Sequence, residues 1–196
     1  VVRDRLGLQP QFPIITVAGT NGKGSVCAFL ATILHAAGYR AGLYTSPHLL
    51  RYTERVRVDL EQADDAVLCD SFAAVEAARG DVSLTYFEFG TLAAMHHFMR
   101  SNVDVAILEV GLGGRLDAVN VFEPDCAVVV SVDLDHQDYL GPDRESIGRE
   151  KAGIFRTGKP AIIGEPNPPA SLLDYAQQLG ADWQRIGGDF GFQRQE

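Results

Sequence analysis

The stretch Pro13-Ile14-Ile15-Thr16-Val17-Ala18-Gly19-Thr20-Asn21-Gly22-Lys23-Gly24-Ser25 decides the fold. Its first half is an apolar run as long as a buried strand, and it stops at Gly19. Its second half is glycine-rich and gives way to Val26, Phe29, Leu30, Ile33, Leu34 and Ala37, whose spacing is helical. Gly38 then stands where a glycine ends a helix. Strand, glycine loop, helix is the building unit of a parallel sheet, and it recurs outward. Ala41 to Thr45 reads as the next strand, followed by a polar stretch from Ser46 to about Glu61. A helix opens at Asp64-Asp65, carries Val67, Leu68, Phe72 and Val75, and closes near Gly80. Another covers about Phe87 to Arg100. Val103 to Val110 and Ala127 to Val132 are almost continuously apolar, as strands buried on both faces require. Ala161-Ile162-Ile163 adds a strand and Ser171 to Leu179 a helix, after a loop at Pro166 to Pro169. The expected class is α/β, a doubly wound and mostly parallel sheet carrying a variant P-loop.

Composition narrows the function. Hydrophobic residues make up 46% of the 196 and charged residues 22%, which fits a packed domain and excludes a disordered or fibrous chain. Lys and Arg number 17 against 26 Asp and Glu, a net charge of −9, so no broad basic surface is expected to meet nucleic acid. No apolar run approaches the roughly 18–20 residues that span a bilayer, and Val1 to Arg5 shows no apolar signal region. Cys27, Cys69 and Cys126 are odd in number and widely spaced, which suits reduced thiols rather than a disulfide framework or a zinc site. The expectation is a cytoplasmic monomer. The ends look cut: the first strand comes within a few residues of Val1, and the chain stops in the polar run Gln193-Arg194-Gln195-Glu196 without a closing element. Residues 1–196 are therefore expected to be one domain of a longer protein.

In open α/β sheets, ligands bind beyond the carboxyl ends of the strands. Four of the expected strands end in groups able to hold phosphate or metal. After the first comes the loop Gly19-Thr20-Asn21-Gly22-Lys23-Gly24-Ser25, whose glycines let several N–H groups face one point at a helix start. Lys23 supplies a point charge for β/γ phosphates, and Ser25 a hydroxyl for a magnesium ion. The usual P-loop has a glycine five residues before the Gly-Lys pair. Here that position is Val17, so the loop is a shorter variant; the alternative is a turn without ligand. After the second strand comes Ser46-Pro47-His48. After the third comes Glu109, a carboxylate that needs a cation or hydrogen-bond donors, with magnesium a suitable partner; backbone amides are the alternative. After the fourth come Asp133, Asp135 and His136, which suits a metal-ligand or phosphate-facing role for His136. His35, His96 and His97 lie on helices away from this rim and read as packing or surface residues. Lys151 reads as a helix-end cation. Arg51, Arg55 and Arg57 form either a solvated loop or a surface for an anionic substrate.

These motifs together resemble the folylpolyglutamate synthase/dihydrofolate synthase family of the Mur ligase superfamily. The stretches that carry the resemblance are VAGTNGKGS (Val17–Ser25), YTSPHLLRYTERVRV (Tyr44–Val58), LTYFE (Leu84–Glu88), LEVGLGGRLDAVN (Leu108–Asn120) and the segment Asp135–Phe155. The family pattern LDATN has Val119 here in place of threonine. The resemblance implies a Mur ligase central ATPase domain, without the C-terminal ligase domain that the family carries. It implies ATP-driven amide bond formation through an acyl phosphate, with dihydropteroate or a folate as acceptor and L-glutamate as amine. Carried onto this chain, Gly19 to Ser25 would hold ATP. Ser46 and Glu109 would hold one magnesium ion, and His136 a second. Thr85, Tyr86, Phe87, Glu88, Leu116, Asp117 and Ala118 would line the pterin site. Lys23, His136 and Lys151 would be catalytic, with Lys151 matching a lysine that the family carries as a carbamate. The competing readings are another Mur-type ligase, a P-loop small-molecule kinase, and a non-enzymatic nucleotide-binding fragment.

Overall fold

The computed structural model describes residues 1–192; the terminal run Gln193–Glu196 lies outside the described residues. The strands are β1 Ile14–Ala18, β2 Ala41–Tyr44, β3 Val56–Val58, β4 Glu61–Gln62, β5 Val105–Glu109, β6 Cys126–Val129, β7 Pro160–Ile163 and β8 Asp182–Arg185. They form one sheet in the order β4-β3-β2-β5-β1-β6-β7-β8. Every pairing from β2 through β8 is parallel, and β2–β3 and β3–β4 are antiparallel. The helices are α1 Val2–Arg5, α2 Lys23–Ala36, α3 Asp65–Arg79, α4 Tyr86–Arg100, α5 Gln137–Leu140, α6 Arg144–Ala152 and α7 Ala170–Leu179, with 3-10 turns at Tyr52–Arg55 and Ala118–Val121.

Side chains alternate across each strand, so the two sheet faces build different cores. Ile15 and Val17 of β1 join Leu43 and Ile107 beneath Cys27 and Ala31 of α2. Ile14 and Ala18 belong to a larger core with Phe98 of α4, Ile147 of α6 and Leu172 of α7. Gly42 in β2 is part of that packing: a Cβ there would lie 2.9 Å from the Phe98 ring.

The doubly wound, mostly parallel sheet is as expected, and most elements fall where periodicity puts them. Gly38 follows α2 with φ +88°, a conformation glycine adopts without steric cost. The run Ala127–Val132 is shorter as a strand than its hydrophobicity suggests. The ladder closes as Val130 N–H donates to Ala18 O (2.8 Å), and the Ser131 carbonyl then accepts from Thr20 N–H (3.0 Å) instead of a neighbouring strand. The glycine loop takes over the main chain of this segment. The strands β3, β4 and β8 and the short helix α5 have no counterpart in the sequence reading. The edge strand β8 also follows the last helix, where no further element is expected.

Candidate active site

The loop between β1 and α2 is held from both sides. On one, Ser131 Oγ accepts from Asn21 N–H and donates to Asn21 O, both at 2.9 Å. Thr20 Oγ1 donates to Asp133 O (3.1 Å) and accepts from Asp133 N–H (3.0 Å). On the other, Lys23 Nζ donates back to the carbonyls of Gly19 (3.0 Å) and Thr20 (3.3 Å). Gly19 is required by space, since a Cβ would meet Val130 Cβ at 3.1 Å and Ser131 N at 3.2 Å. Gly22 is required by conformation: it precedes α2 in the left-handed region, φ +81°. No side chain caps α2; Val26 N–H donates to the Gly22 carbonyl (3.0 Å), while the N–H groups of Lys23, Gly24 and Ser25 at the helix start have no acceptor among the described residues. A fourteen-residue helix with an uncapped, glycine-bordered start favours a phosphate group there.

Glu109 ends β5, in register with Val17, the penultimate residue of β1. It is buried, and Ser46 N–H donates to its Oε2 (2.9 Å). Its carboxylate also lies against Gly24, where a Cβ would stand 3.8 Å from Oε1. Burial pushes the Glu109 carboxyl up from its ordinary value, while the Ser46 N–H and the Lys23 charge pull it down. An acidic oxygen, Oε1, with no donor among the described residues, and Ser46 beside the same carboxylate, are hard-oxygen groups suited to magnesium that keeps several waters. No group of three or more His, Cys, Asp or Glu side chains stands together among the described residues, so such an ion would take ligands from nucleotide and solvent as well.

His136 is placed differently. It precedes α5 with φ +47°, is exposed, and has its Nε2 3.7 Å from Asp135. It lies seven residues beyond the end of β6 rather than directly at a strand end. Lys151 is in the last turn of α6, as a helix-end cation would be, yet it is only 3% exposed. The helix-end position is as read from the sequence; the burial is not part of that reading. Burial, reinforced by the Lys23 charge and opposed by Asp135, brings its amine down to about 8.

Six of the seven residues expected to touch substrate, Thr85, Phe87, Glu88, Leu116, Asp117 and Ala118, line one cleft of about 350 Å³. Tyr86 does not; it faces a larger hollow of about 670 Å³ beside Tyr52, Phe72 and Phe89. Three of the six also have structural work that the sequence reading missed. Thr85 and Glu88 form a capping box on α4: Thr85 N–H donates to Glu88 Oε2 (2.7 Å), and Glu88 N–H to Thr85 Oγ1 (3.2 Å). The spacing Thr-x-x-Glu before an apolar run was the available signal. Asp117 accepts from the N–H groups of Gly111 (3.0 Å), Leu112 (2.9 Å) and Val119 (3.0 Å), which folds the Gly111–Leu116 loop around its carboxylate. Burial still raises the Asp117 carboxyl above its usual range. This loop seats on α6 so closely that a Cβ on Gly114 would meet the Glu150 and Lys151 carbonyls at 2.9 and 3.1 Å. The cleft and Lys151 are thereby built as one unit.

The chain is 58% identical over 193 residues to the dihydrofolate synthase/folylpolyglutamate synthase of Escherichia coli, covering 98% of this chain and 46% of that protein. An Escherichia coli FolC structure in complex with DHPP and ADP superposes with a TM-score of 0.97 at 57% identity, over 100% of this chain and 47% of that one. A bifunctional folylpolyglutamate synthase/dihydrofolate synthase with Mn, AMPPNP and L-glutamate bound gives a TM-score of 0.95 at 57% identity, over 98% and 48%. The chain thus spans about half the length of the relatives it matches. Residues 17–178, from the penultimate residue of β1 to the penultimate residue of α7, match the Mur ligase middle domain, and the chain belongs to the Mur ligase family.

Proposed function

We propose that this chain is the nucleotide-binding part of an ATP-dependent amide ligase that adds L-glutamate to dihydropteroate, to folates, or to both, through an acyl phosphate. The observation that carries the reading is the conjunction of an uncapped α2 behind a glycine loop with a buried carboxylate, Glu109, at its side. Relatives more than half identical to the chain hold ADP with DHPP, and AMPPNP with Mn and L-glutamate, at a fold that superposes on this one.

In this reading, the N–H groups of Lys23, Gly24 and Ser25 bind the nucleotide phosphates. Lys23 releases the Gly19 and Thr20 carbonyls and turns its charge to the β/γ phosphates. Glu109, with Ser46 and Ser25 nearby, holds one magnesium ion, and His136 approaches a second. Magnesium, when bound, neutralises phosphate charge that would repel an incoming carboxylate. The cleft of Thr85, Phe87, Glu88, Leu116, Asp117 and Ala118 holds the pterin and orients its carboxylate toward the loop. Lys151 reaches the same place from α6. Its buried amine, brought down to about 8, is partly unprotonated near neutrality, which is the form that attacks carbon dioxide. Forming the N–C bond releases one proton and leaves a carbamate, an anion facing Lys23 in place of a second cation. The chain's own contribution is position and electrostatics, with no covalent nucleophile. We place the reaction in the cytoplasm and the protein as a monomer; Cys27, Cys69 and Cys126 are all free thiols, and no described helix is long and apolar enough to cross a membrane.

Calorimetric titration of the chain with Mg·ATP and, separately, with dihydropteroate tests the reading. Both should bind. Nucleotide binding without pterin binding would replace it with another Mur-type ligase or a small-molecule kinase, and binding of neither would remove it.

A further inference from the structure

The segment between β2 and β3 carries Ser46, the residue whose N–H meets Glu109, and it is clamped by two adjacent residues, Glu54 through its carboxylate and Arg55 through its carbonyl and its guanidinium. The Glu54 carboxylate accepts from Leu49 N–H (2.8 Å), Leu50 N–H (2.8 Å) and Arg51 N–H (2.7 Å). Those three donors hold it well below the usual carboxylate range, at about 2. This fixes the far end of the segment. The near end depends on Arg55. Its carbonyl accepts from Thr45 N–H (2.9 Å), the residue just before Ser46. Its Nε donates to His48 Nδ1 (2.8 Å), two residues after Ser46.

Arg55 is 9% exposed, and no carboxylate pairs with it among the described residues. Its guanidinium carbon instead sits 5.5 Å from the Tyr52 ring centroid and 5.4 Å from that of Tyr86. The two rings stand edge to face, 6.0 Å apart, and a guanidinium packed against both is attracted to them and restricted in rotation. Its direction toward His48 is therefore set by α4 and the 3-10 turn, not by the mobile end of a surface side chain. Because Nδ1 is the acceptor, the His48 ring proton is on Nε2.

We propose that Arg55 is a positioning residue for the Glu109 metal site, acting through Thr45 and the Nδ1 acceptor of His48 to hold Ser46 against Glu109. His48 serves in this arrangement only as an acceptor, not as an acid, base or metal ligand. The inference rests on the reading of Glu109 as a magnesium ligand.

The test uses the 196-residue chain and the variants Arg55→Met, His48→Leu and His48→Asn. Asparagine offers a carbonyl oxygen near the position of Nδ1 and no ring nitrogen. Two quantities are read: amide hydrogen exchange at Ser46, and affinity for Mg·ATP by calorimetry. Arg55→Met and His48→Leu should each speed exchange at Ser46 and weaken Mg·ATP binding by tenfold or more. His48→Asn should stay within about twofold of the parent in both. Unchanged Ser46 exchange in Arg55→Met overturns the clamp. Equal losses in His48→Leu and His48→Asn overturn the acceptor role. If Arg55→Met does not fold, the two His48 variants, on a partly exposed loop, decide alone. If the parent itself binds no Mg·ATP, the magnesium-site reading fails and the positioning role falls with it, while the exchange data still report whether the clamp exists.

Discussion

Glu109 shows how a single side chain can be costly to the fold and still be kept. Burial raises its carboxyl above the unfolded value, so the folded state holds that proton more tightly than the unfolded chain does. The charged carboxylate therefore costs stability at any pH above that raised value, and the cost disappears below the unfolded value. Glu109→Gln keeps the acceptor for Ser46 N–H and removes the charge. We expect its Tm at pH 7 to equal or exceed the parent's, with the two converging as pH falls through the carboxylate range. Affinity for Mg·ATP should drop at least tenfold. A Tm several degrees lower at pH 7 would show that the carboxylate stabilises the fold. Lys151 follows the opposite proton. Its folded value, about 8, lies below the ordinary lysine value of 10.5, so the unfolded chain binds more protons between those limits and stability should rise with pH across that window. Lys151→Met should be more stable than the parent at pH 7, by up to about 3 kcal/mol, and the gap should close toward pH 10.5. A carbamate would remove that slope, and incubation with ¹³C-bicarbonate followed by carbon NMR should show a carbamate signal that Lys151→Met lacks. Lys23→Ala should lower Mg·ATP affinity by at least tenfold, as expected for loss of a charge aimed at phosphate; unchanged binding would end that role for Lys23.

At the scale of elements, much was legible because the local signals are strong. β1, the glycine loop and α2 follow from one apolar run, three closely spaced glycines and a helical spacing. Glu109 stands out because a carboxylate rarely ends an otherwise apolar strand. The elements that the sequence hides are those without such signals. β4 is the two polar residues Glu61–Gln62, and β8 is Asp-Trp-Gln-Arg at a sheet edge, where burial is slight. Neither has the hydrophobic pattern from which a strand is read. The early end of β6 was hidden for another reason: Val130 and Val132 are apolar, but a loop more than a hundred residues away claims the main chain between them. The burial of Lys151 is equally non-local, since it requires the Gly111–Leu116 loop to seat on α6. Thr85 has both a structural and a proposed binding role, and these can be separated. Thr85→Ala should cost about 1 kcal/mol through loss of the α4 cap, read by urea unfolding, whereas Thr85→Ser should restore stability. If Thr85→Ala leaves stability unchanged, the capping box contributes nothing.

For the whole molecule, the glycine loop, Glu109, the cleft of Thr85 and Asp117 and Lys151 stand together on one rim of the sheet. That rim is open: the cleft is lined by side chains such as Leu116, which is 79% exposed. An acyl phosphate formed there meets water, and enclosure is what normally lets an amine compete with hydrolysis. The 196-residue polypeptide, about half the length of its ligase relatives, should therefore hydrolyse ATP slowly at most. Incubated with ATP, magnesium, dihydropteroate and L-glutamate, it should yield no ligated product by mass spectrometry, and multiple turnovers of product would refute this. The same polarity leaves the opposite rim idle. The turn after α2 lies there, with Tyr39 half exposed and open space around the Cβ direction of Gly38. A chemist wishing to anchor this protein to a sensor surface, or to splice a reporter into it, should choose the Gly38–Tyr39 turn. The strands themselves then act as spacers, each holding the attached cargo a full strand length away from the glycine loop.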